Sequence, residues 1–313
     1  MAFVVSSLAN YTNEQSTDLL VRALFSSKTA SLLRDAGQVQ PNIKSASALN
    51  ILTSTVFFQA DGCGYSPSGS TTFTQRVITI GKVKIEETLC PKTLEAKWMQ
   101  TQIMPGAPTE LPFEEQIGRE KAQTIADALE VAIWQGDLTS ANPNLSRFDG
   151  IYTILNALGF GGAGDPVQGN TTAIASITAA NIIGIVDDIY QKLPARVTEK
   201  DNLVCFIGID KYKLYLQALK TANLFHYNPD AGLNMEMVAP GTNMRLIAVG
   251  GLSGTNYLIA GQLSNFFLGT DLMNEEEEYK IWYSIDNDEV RFRATFKYGT
   301  QVAFPDETVL WKI

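Results

Sequence analysis

From Phe113 to Ile133 apolar side chains return every three or four positions: Phe113, Ile117, Ala122, Ile125, Ala126, Leu129, Ala132 and Ile133. That spacing lays one stripe along a helix and predicts an amphipathic helix over Pro112–Gln135. Pro112 suits the first helical position, where its missing N–H has no intrahelical partner, and Glu114 and Glu115 sit at the positive end of the helix dipole. Gly136 stops it. At ~1.5 Å per residue the helix runs roughly 36 Å, well above the usual length, and reads as a spine for the other parts.

Ahead of this helix the pattern changes twice. In residues 1–43, Ser16 caps a short helix carrying Leu19, Leu20, Ala23 and Leu24, and a second run through Leu32 and Leu33 ends at Gly37. Isolated helices below ~12–15 residues are marginal in water, so this arm has to lean on something. Residues 44–105 turn to Thr, Val, Ile and aromatic side chains, with strand-like runs at Ile51–Ala60 and Gln75–Glu87 on either side of a Gly/Ser/Pro-rich segment, Asp61–Gly69. A long hairpin is predicted. In its second run Val77, Thr79, Gly81, Val83 and Ile85 alternate with Ile78, Ile80, Lys82 and Lys84. Ten such residues reach roughly 33 Å, and a two-stranded ribbon of that length cannot cover its own faces.

Behind the spine, a loop Leu138–Arg147 leads to Phe148-Asp149-Gly150-Ile151, where Gly150 marks a turn into an apolar strand or short helix. A Thr178-capped amphipathic helix is expected over 178–195, with Ile182, Ile183, Val186, Ile189 and Tyr190 on its apolar side. Leu203–Ile209 is a continuous apolar run, so a buried strand, and Asp210 is placed to cap a helix Lys211–Lys220. Loop chemistry fills 221–242, and short strands follow at Met244–Val249 and Tyr257–Ala260. This region reads as a compact α/β unit. Near the end, Val290, Phe292, Ala294, Phe296 and Tyr298 alternate with Arg291, Arg293, Thr295 and Lys297, one apolar and one basic face. Tyr279–Ile285 is the expected antiparallel mate across Asp286-Asn287-Asp288, with Glu275–Glu278 just before it.

Composition narrows what such a chain can do. With 313 residues and 45% hydrophobic side chains it buries a real core, in one large domain or two to three modest ones. Its 24 basic and 33 acidic residues leave a net charge of −9, which is no footprint for nucleic acid or an anionic membrane. No apolar run approaches the ~20 residues a membrane span needs, and the start, MAFVVSSLANYTNEQ, lacks the basic residues and length of a signal peptide, so a cytosolic origin is expected. Cys63, Cys90 and Cys205 are scattered and are read as reduced thiols.

Candidate chemistry is thin. Gly159-Phe160-Gly161-Gly162-Ala163-Gly164 fits the G-x-G-x-x-G dinucleotide pattern, but that motif must open a helix, and Asp165-Pro166 and Gly169 follow instead. His226 is the one histidine, in Leu224-Phe225-His226-Tyr227-Asn228, without a nucleophile elbow anywhere in the chain. The consecutive glutamates of Glu275–Glu278 point in different directions and do not converge on one metal ion. Arg291, Arg293 and Lys297, on one strand of an acidic protein, are expected to pair with carboxylates, either those glutamates or a neighbouring subunit's. No cofactor and no catalytic residue is assigned. What the chain has in abundance is surface that needs a partner, which favours assembly over catalysis.

The order of parts then carries a resemblance. An N-terminal arm, a long hairpin, a spine helix, the Phe148-Asp149-Gly150-Ile151 turn into an α/β unit, and a terminal strand reading Val290-Arg291-Phe292-Arg293-Ala294-Thr295-Phe296 through Tyr298-Gly299 together resemble the major capsid proteins of tailed bacteriophages. The resemblance implies an α+β chain of the HK97-like fold. Its parts would be an N-terminal arm at 1–43, an E-loop hairpin with flanking strands at 44–105, a P domain at 106–147 joined by 263–313, and an A domain at 148–262. It implies intersubunit contacts by Tyr65, Phe73, Arg76, Lys82 and Lys84 of the E-loop, by His226, Tyr227 and Asn228 of an axial loop, and by Glu276, Glu277, Arg291 and Arg293 of the P domain. Hexamers and pentamers of the chain would then form an icosahedral shell in the virion, assembled in the bacterial cytoplasm. That shell would enclose double-stranded DNA without binding it specifically, and without a membrane. Portal and decoration proteins are possible partners. No charged coiled-coil segment precedes the arm, so a separate scaffold or none is implied, and no lysine–asparagine crosslink is expected. Two alternatives stay open: an encapsulin-type compartment of the same fold, and a nucleotide-dependent enzyme using Gly159–Gly164.

Overall fold

The computed structural model describes residues 24–65, 67–89, 113–170, 174–224, 235–271, 278–284, 286, 287 and 289–313. A short helix, α1 (Lys28–Asp35), and a strand, β1 (Val39–Gln40), come first, and the long helix α2 runs from Phe113 to Gln135. Of the predicted stripe, Ala122, Ile125, Ala126, Leu129, Ala132 and Ile133 are buried. The side chains of Phe113 and Ile117, and all of Pro112, lie outside the described residues. Gly136 does end the helix, though by close packing. A Cβ there would stand 2.5 Å from the Phe148 carbonyl oxygen, and one on Gly150 would stand 2.6 Å from the Gly136 nitrogen. The two backbones touch, and the Gly150 N–H donates to the Gly136 carbonyl at 2.9 Å.

The sheet lying on the spine is organised by one strand, β12 (Glu289–Val302). Along one edge it pairs antiparallel with β11 (Glu278–Ser284) and then with β10 (Phe266–Thr270), which in turn holds β1 in parallel. Along the other edge it pairs with β4 (Gly81–Leu89). The predicted alternation holds from Val290 to Phe296: the even positions are buried and Arg291, Arg293 and Thr295 are partly exposed. The Tyr279 hydroxyl donates to the Gly118 carbonyl at 2.6 Å and so fastens β11 to the spine. Lys297 departs from the expected basic face. It is buried, and its ammonium donates to the buried Asp271 carboxylate at 2.8 Å, which the end of β10, paired alongside residues 298–302, brings next to it.

The hairpin is placed differently from its prediction. Its strands are β2 (Ala46–Thr55) and β3 (Ser70–Thr79), joined by 56–69, so the first starts five residues before Ile51 and the second stops short of Glu87. What reads in sequence as one run is two strands in two sheets. Ile78 and Ile80 point inward in β3 and its extension, whereas β4 turns Val83 and Ile85 inward, a change of parity at the Ile80–Gly81 step. Only glycine fits there, since a Cβ on Gly81 would lie 1.8 Å from the Arg147 carbonyl oxygen.

The second large sheet has six strands in the order β5 (Val167–Gln168), β13 (Val309–Lys312), β9 (Tyr257–Gln262), β6 (Leu203–Gly208), β8 (Arg245–Val249) and β7 (Glu236–Val238). All six residues of β6 are buried, as its unbroken apolar run predicts. Helices α3 (Ile151–Leu158), α4 (Ile182–Lys192), α5 (Ala195–Thr198) and α6 (Ile209–Thr221) complete this unit. The turn after Gly150 therefore enters a helix. Two caps differ from expectation. Asn181, not Thr178, precedes α4, and its side-chain oxygen accepts from the Thr178 N–H at 2.8 Å. Gly208 precedes α6, which puts Asp210 in the first turn, where the dipole still favours it. The segment 263–313 feeds both sheets, since β13 pairs with β9 and β5. No described helix is long and apolar enough to cross a membrane.

Candidate assembly surface

The hairpin has one face against the body and one against solvent. Leu49, Ile51 and Ile78 turn inward and pack with Ile43, Ile80 and Phe267 in a small cluster of their own. The root is fastened by the Gln301 side-chain amide, which donates to the Val77 carbonyl at 2.6 Å. Beyond the root a cleft of about 790 Å³ opens between hairpin and body, with Arg76 on one wall and Arg196, Asp306 and Glu307 on the other. Burial lowers the Arg76 pKa from its usual value, and the nearby Asp306 charge opposes that shift. Arg196 is ion-paired with Asp306 and, at 3.2 Å, with Glu307.

The other face is bare, and its apolar side chains are interrupted by the hydrogen-bonded Asn50–Gln75 pair. Leu52 and Phe73 are direct cross-strand partners, which puts them on the same side, and both are exposed, Phe73 by 77%. Val77 adds to that patch, and the tip carries Val56, Phe57, Phe58 and Tyr65, all exposed. Burying one such side chain contributes roughly 1.5–3 kcal/mol, so a lone copy forgoes that stabilisation several times over within one hairpin. Cys63 is exposed at the tip, whereas Cys205 is buried in β6 and its thiol pKa is pushed up to about 12 by that burial.

The other predicted contact residues scatter. Tyr65, Phe73 and Arg76 are on the hairpin, but Lys82 and Lys84 lie past it on β4, inside the main sheet. Lys84 pairs with Glu86 at 2.7 Å and lowers that carboxyl's pKa, and Arg293 approaches the same carboxylate at 3.7 Å. Arg291 pairs with Glu289 at 2.8 Å. Glu86, across the sheet from Arg293, and Glu289, on Arg291's own strand, thus supply carboxylates expected of Glu276 and Glu277, which lie outside the described residues together with His226, Tyr227 and Asn228. Beside β4 a second, more apolar cleft of about 290 Å³ runs between that strand, the spine and the 143–148 turn.

The glycine run gives no phosphate cradle. Gly159 follows the end of α3 with a φ of +79°, so the motif closes a helix. The Gly162 N–H already donates to the Asp165 carboxylate at 2.7 Å. Among the described residues no three His, Cys, Asp or Glu side chains come together as metal ligands.

Besides Asp271, a second buried charge was missed in the sequence. Glu130, on the spine, accepts from the Thr29 backbone N–H at 3.0 Å and from the Thr29 hydroxyl, while the Trp134 indole N–H donates to that hydroxyl at 2.9 Å. A carboxylate from the spine therefore sits at the N-terminus of α1, where the helix dipole favours it. The signal was available: Glu130 interrupts an otherwise apolar stretch, Ala128-Leu129-Glu130-Val131-Ala132.

No family model and no curated protein matches the chain. Solved structures do. The chain is similar to a protein of the satellite phage P4 procapsid that includes the size determination (Sid) protein, with 13% identity and a TM-score of 0.62 over 100% of this chain and 91% of that one. It is similar to the capsid of an empty GTA particle, with 14% identity and a TM-score of 0.57 over 91% and 90%. A structure from Microbacterium phage Oxtober96 matches at 14% identity and a TM-score of 0.55 over 91% and 90%. The chain has their fold, the α+β fold of HK97-like capsid proteins.

Proposed function

We propose that the chain is the major capsid protein of a tailed phage, a structural subunit that assembles through hexamers and pentamers into the icosahedral shell around double-stranded DNA. The observation that carries this reading is the hairpin, whose outer face and tip expose seven large apolar side chains on a scaffold with the fold of capsid proteins. A heterologous contact, in which the hairpin of one copy covers the next, closes into rings that can tile a shell. In this reading 44–105 is the E-loop, 106–147 with 263–313 the P domain and 148–262 the A domain, with the loop around His226 at the axis. Its role is structural and its place is the virion, with a separate scaffold or none, and with portal and decoration proteins as further candidate partners. A net charge of −9 keeps the shell from holding its genome by direct adhesion.

Negative-stain microscopy and sedimentation velocity of the purified protein test the reading. Rings, sheets or closed particles are expected. A compact single copy that persists at high concentration refutes it.

A further inference from the structure

An Asp-Gly step is a place where a chain can attack itself, and the sequence holds two, Asp61-Gly62 and Asp149-Gly150. The glycine nitrogen lies beside the aspartyl carboxyl and no Cβ shields it, so ring closure needs only a backbone free to turn. The fold treats the two steps oppositely. At the second, the Asp149 carboxylate accepts from the Leu138 N–H at 3.0 Å and the Gly150 N–H donates to the Gly136 carbonyl at 2.9 Å. Gly150 is buried, with the Trp134 and Gly136 backbones on top of it. At the first, Asp61 and Gly62 are both exposed and belong to no helix or strand. Among the described residues, nothing accepts from the Gly62 N–H, nothing pairs with the Asp61 carboxylate, and no backbone hydrogen bond is made within 56–69.

We propose that Asp61–Gly62 is a self-modification site, at which the hairpin tip converts its own aspartate to isoaspartate while the tip is uncovered. The Gly62 nitrogen attacks Asp61 Cγ, a C–N bond forms, and the hydroxyl of the protonated carboxyl leaves with the amide proton as water. Water then opens the cyclic imide. Attack at the side-chain carbonyl restores aspartate, and attack at the main-chain carbonyl leaves the chain running through Asp61 Cβ, one methylene longer. The net change is an isomerisation that consumes no other reactant. The β2–β3 ladder from Ala46–Thr79 to Thr55–Ser70 stays in register, so the added length is confined to the loop that presents Val56, Phe57 and Phe58. Asp149–Gly150 is held out of the reaction, because its nitrogen and its carboxylate are both engaged. A neighbour that covers the tip restrains the backbone turn and slows the step, so the product records time spent uncovered. That last part rests on the shell reading, and the reaction itself does not.

Peptide mapping of full-length protein aged in warm, reducing, neutral buffer tests it. Labelling by an isoaspartyl methyltransferase counts the product, and a free peptide of residues 58–64 gives the reference rate. Unassembled chain is expected to convert position 61 within about tenfold of the peptide, with 149 at least about a hundredfold slower than 61. Gly62→Ala has room, since only the Ala60 carbonyl oxygen comes within 4.0 Å of its Cβ, and Gly62 is not among the residues of positive φ. It should slow conversion about tenfold by shielding the nitrogen. A tip that lags the peptide by about a hundredfold, or conversion at 149 that keeps pace with 61, overturns the site. Assembled particles should convert more slowly than free copies; equal rates overturn the shielding and leave the reaction standing. A chain that builds no particles overturns the shell reading, and its rate at 61 still decides the site.

Discussion

The two-stranded hairpin and the six-stranded sheet are both built from strands that place large apolar side chains on a pleated surface, and they end in opposite states. Strand β6, Leu203–Gly208, buries every side chain between helices α4 and α6 on one side and the spine on the other. Strands β2 and β3 bury Leu49, Ile51 and Ile78 alone, and leave Leu52 and Phe73 facing water across from each other. Local propensity does not separate them, because both are rich in residues that suit a pleated strand. The difference is the neighbours. The chain supplies β6 with two covering layers, and it supplies the hairpin with one at the root and none at the tip. A region that one copy completes is a domain core, and a region that one copy leaves open is an interface awaiting its other half.

Substitutions that are equal on paper should therefore act on different processes. The largest effect is expected at Phe206, whose ring lies 4.7 Å from that of Trp134 and 5.6 Å from that of Phe266, where the six-stranded sheet meets the spine. Phe206→Ala removes a fully buried ring and should lower stability by about 3–5 kcal/mol, read as a shift in the denaturant midpoint. A loss below about 1 kcal/mol would mean that this core is far looser than its packing, and the comparison would lose its finished half.

An intermediate effect is expected where the arm meets the spine. Glu130→Gln keeps the size of the side chain but removes the charge that holds the Thr29 N–H and faces the α1 N-terminus. The expected cost is about 1–3 kcal/mol, local to the arm, because a buried amide replaces a charge-assisted acceptor. Limited proteolysis should then cut near 24–36 faster than in the parent, with the rate elsewhere unchanged. Uniformly faster cleavage would place Glu130 in the global core instead.

How much of this was legible in the sequence follows the same division. Period-3.6 spacing identified the spine to within a residue of its start, and strict alternation identified β12 and its mate β11, because each element buries a face within the chain. The hairpin's bounds were misplaced for a physical reason: Gln75–Glu87 is strand at every residue but Ile80, and the Ile80–Gly81 step that passes it from one sheet to the next leaves no gap in composition. Lys82 and Lys84 were assigned to the hairpin on that account. Lys297 was read as exposed because its alternation with Phe296 and Tyr298 is intact, and its buried partner Asp271, 26 residues away in sequence, comes in only with β10 alongside. Asp271 and Glu130 escaped notice likewise, since a buried charge is identified by a partner distant in sequence.

The smallest effect on stability, and the sharpest contrast with Phe206, is expected on the hairpin's outer face. Leu52→Ser with Phe73→Ser replaces a cross-strand pair that is 57% and 77% exposed in the single copy, so little burial is lost on folding. Stability should move by no more than about 0.5 kcal/mol, as for other surface positions. Gln301 still holds the root through the Val77 carbonyl, and the inward cluster around Ile78 is untouched, so the hairpin keeps its place. Assembly is what changes. With the patch made polar, a neighbour gains nothing by covering it, and sedimentation should show smaller species at concentrations where the parent chain builds large ones. If the variant instead unfolds several degrees lower and assembles as before, the patch belongs to the folding of the single copy, and the hairpin is as finished as the sheet it was contrasted with.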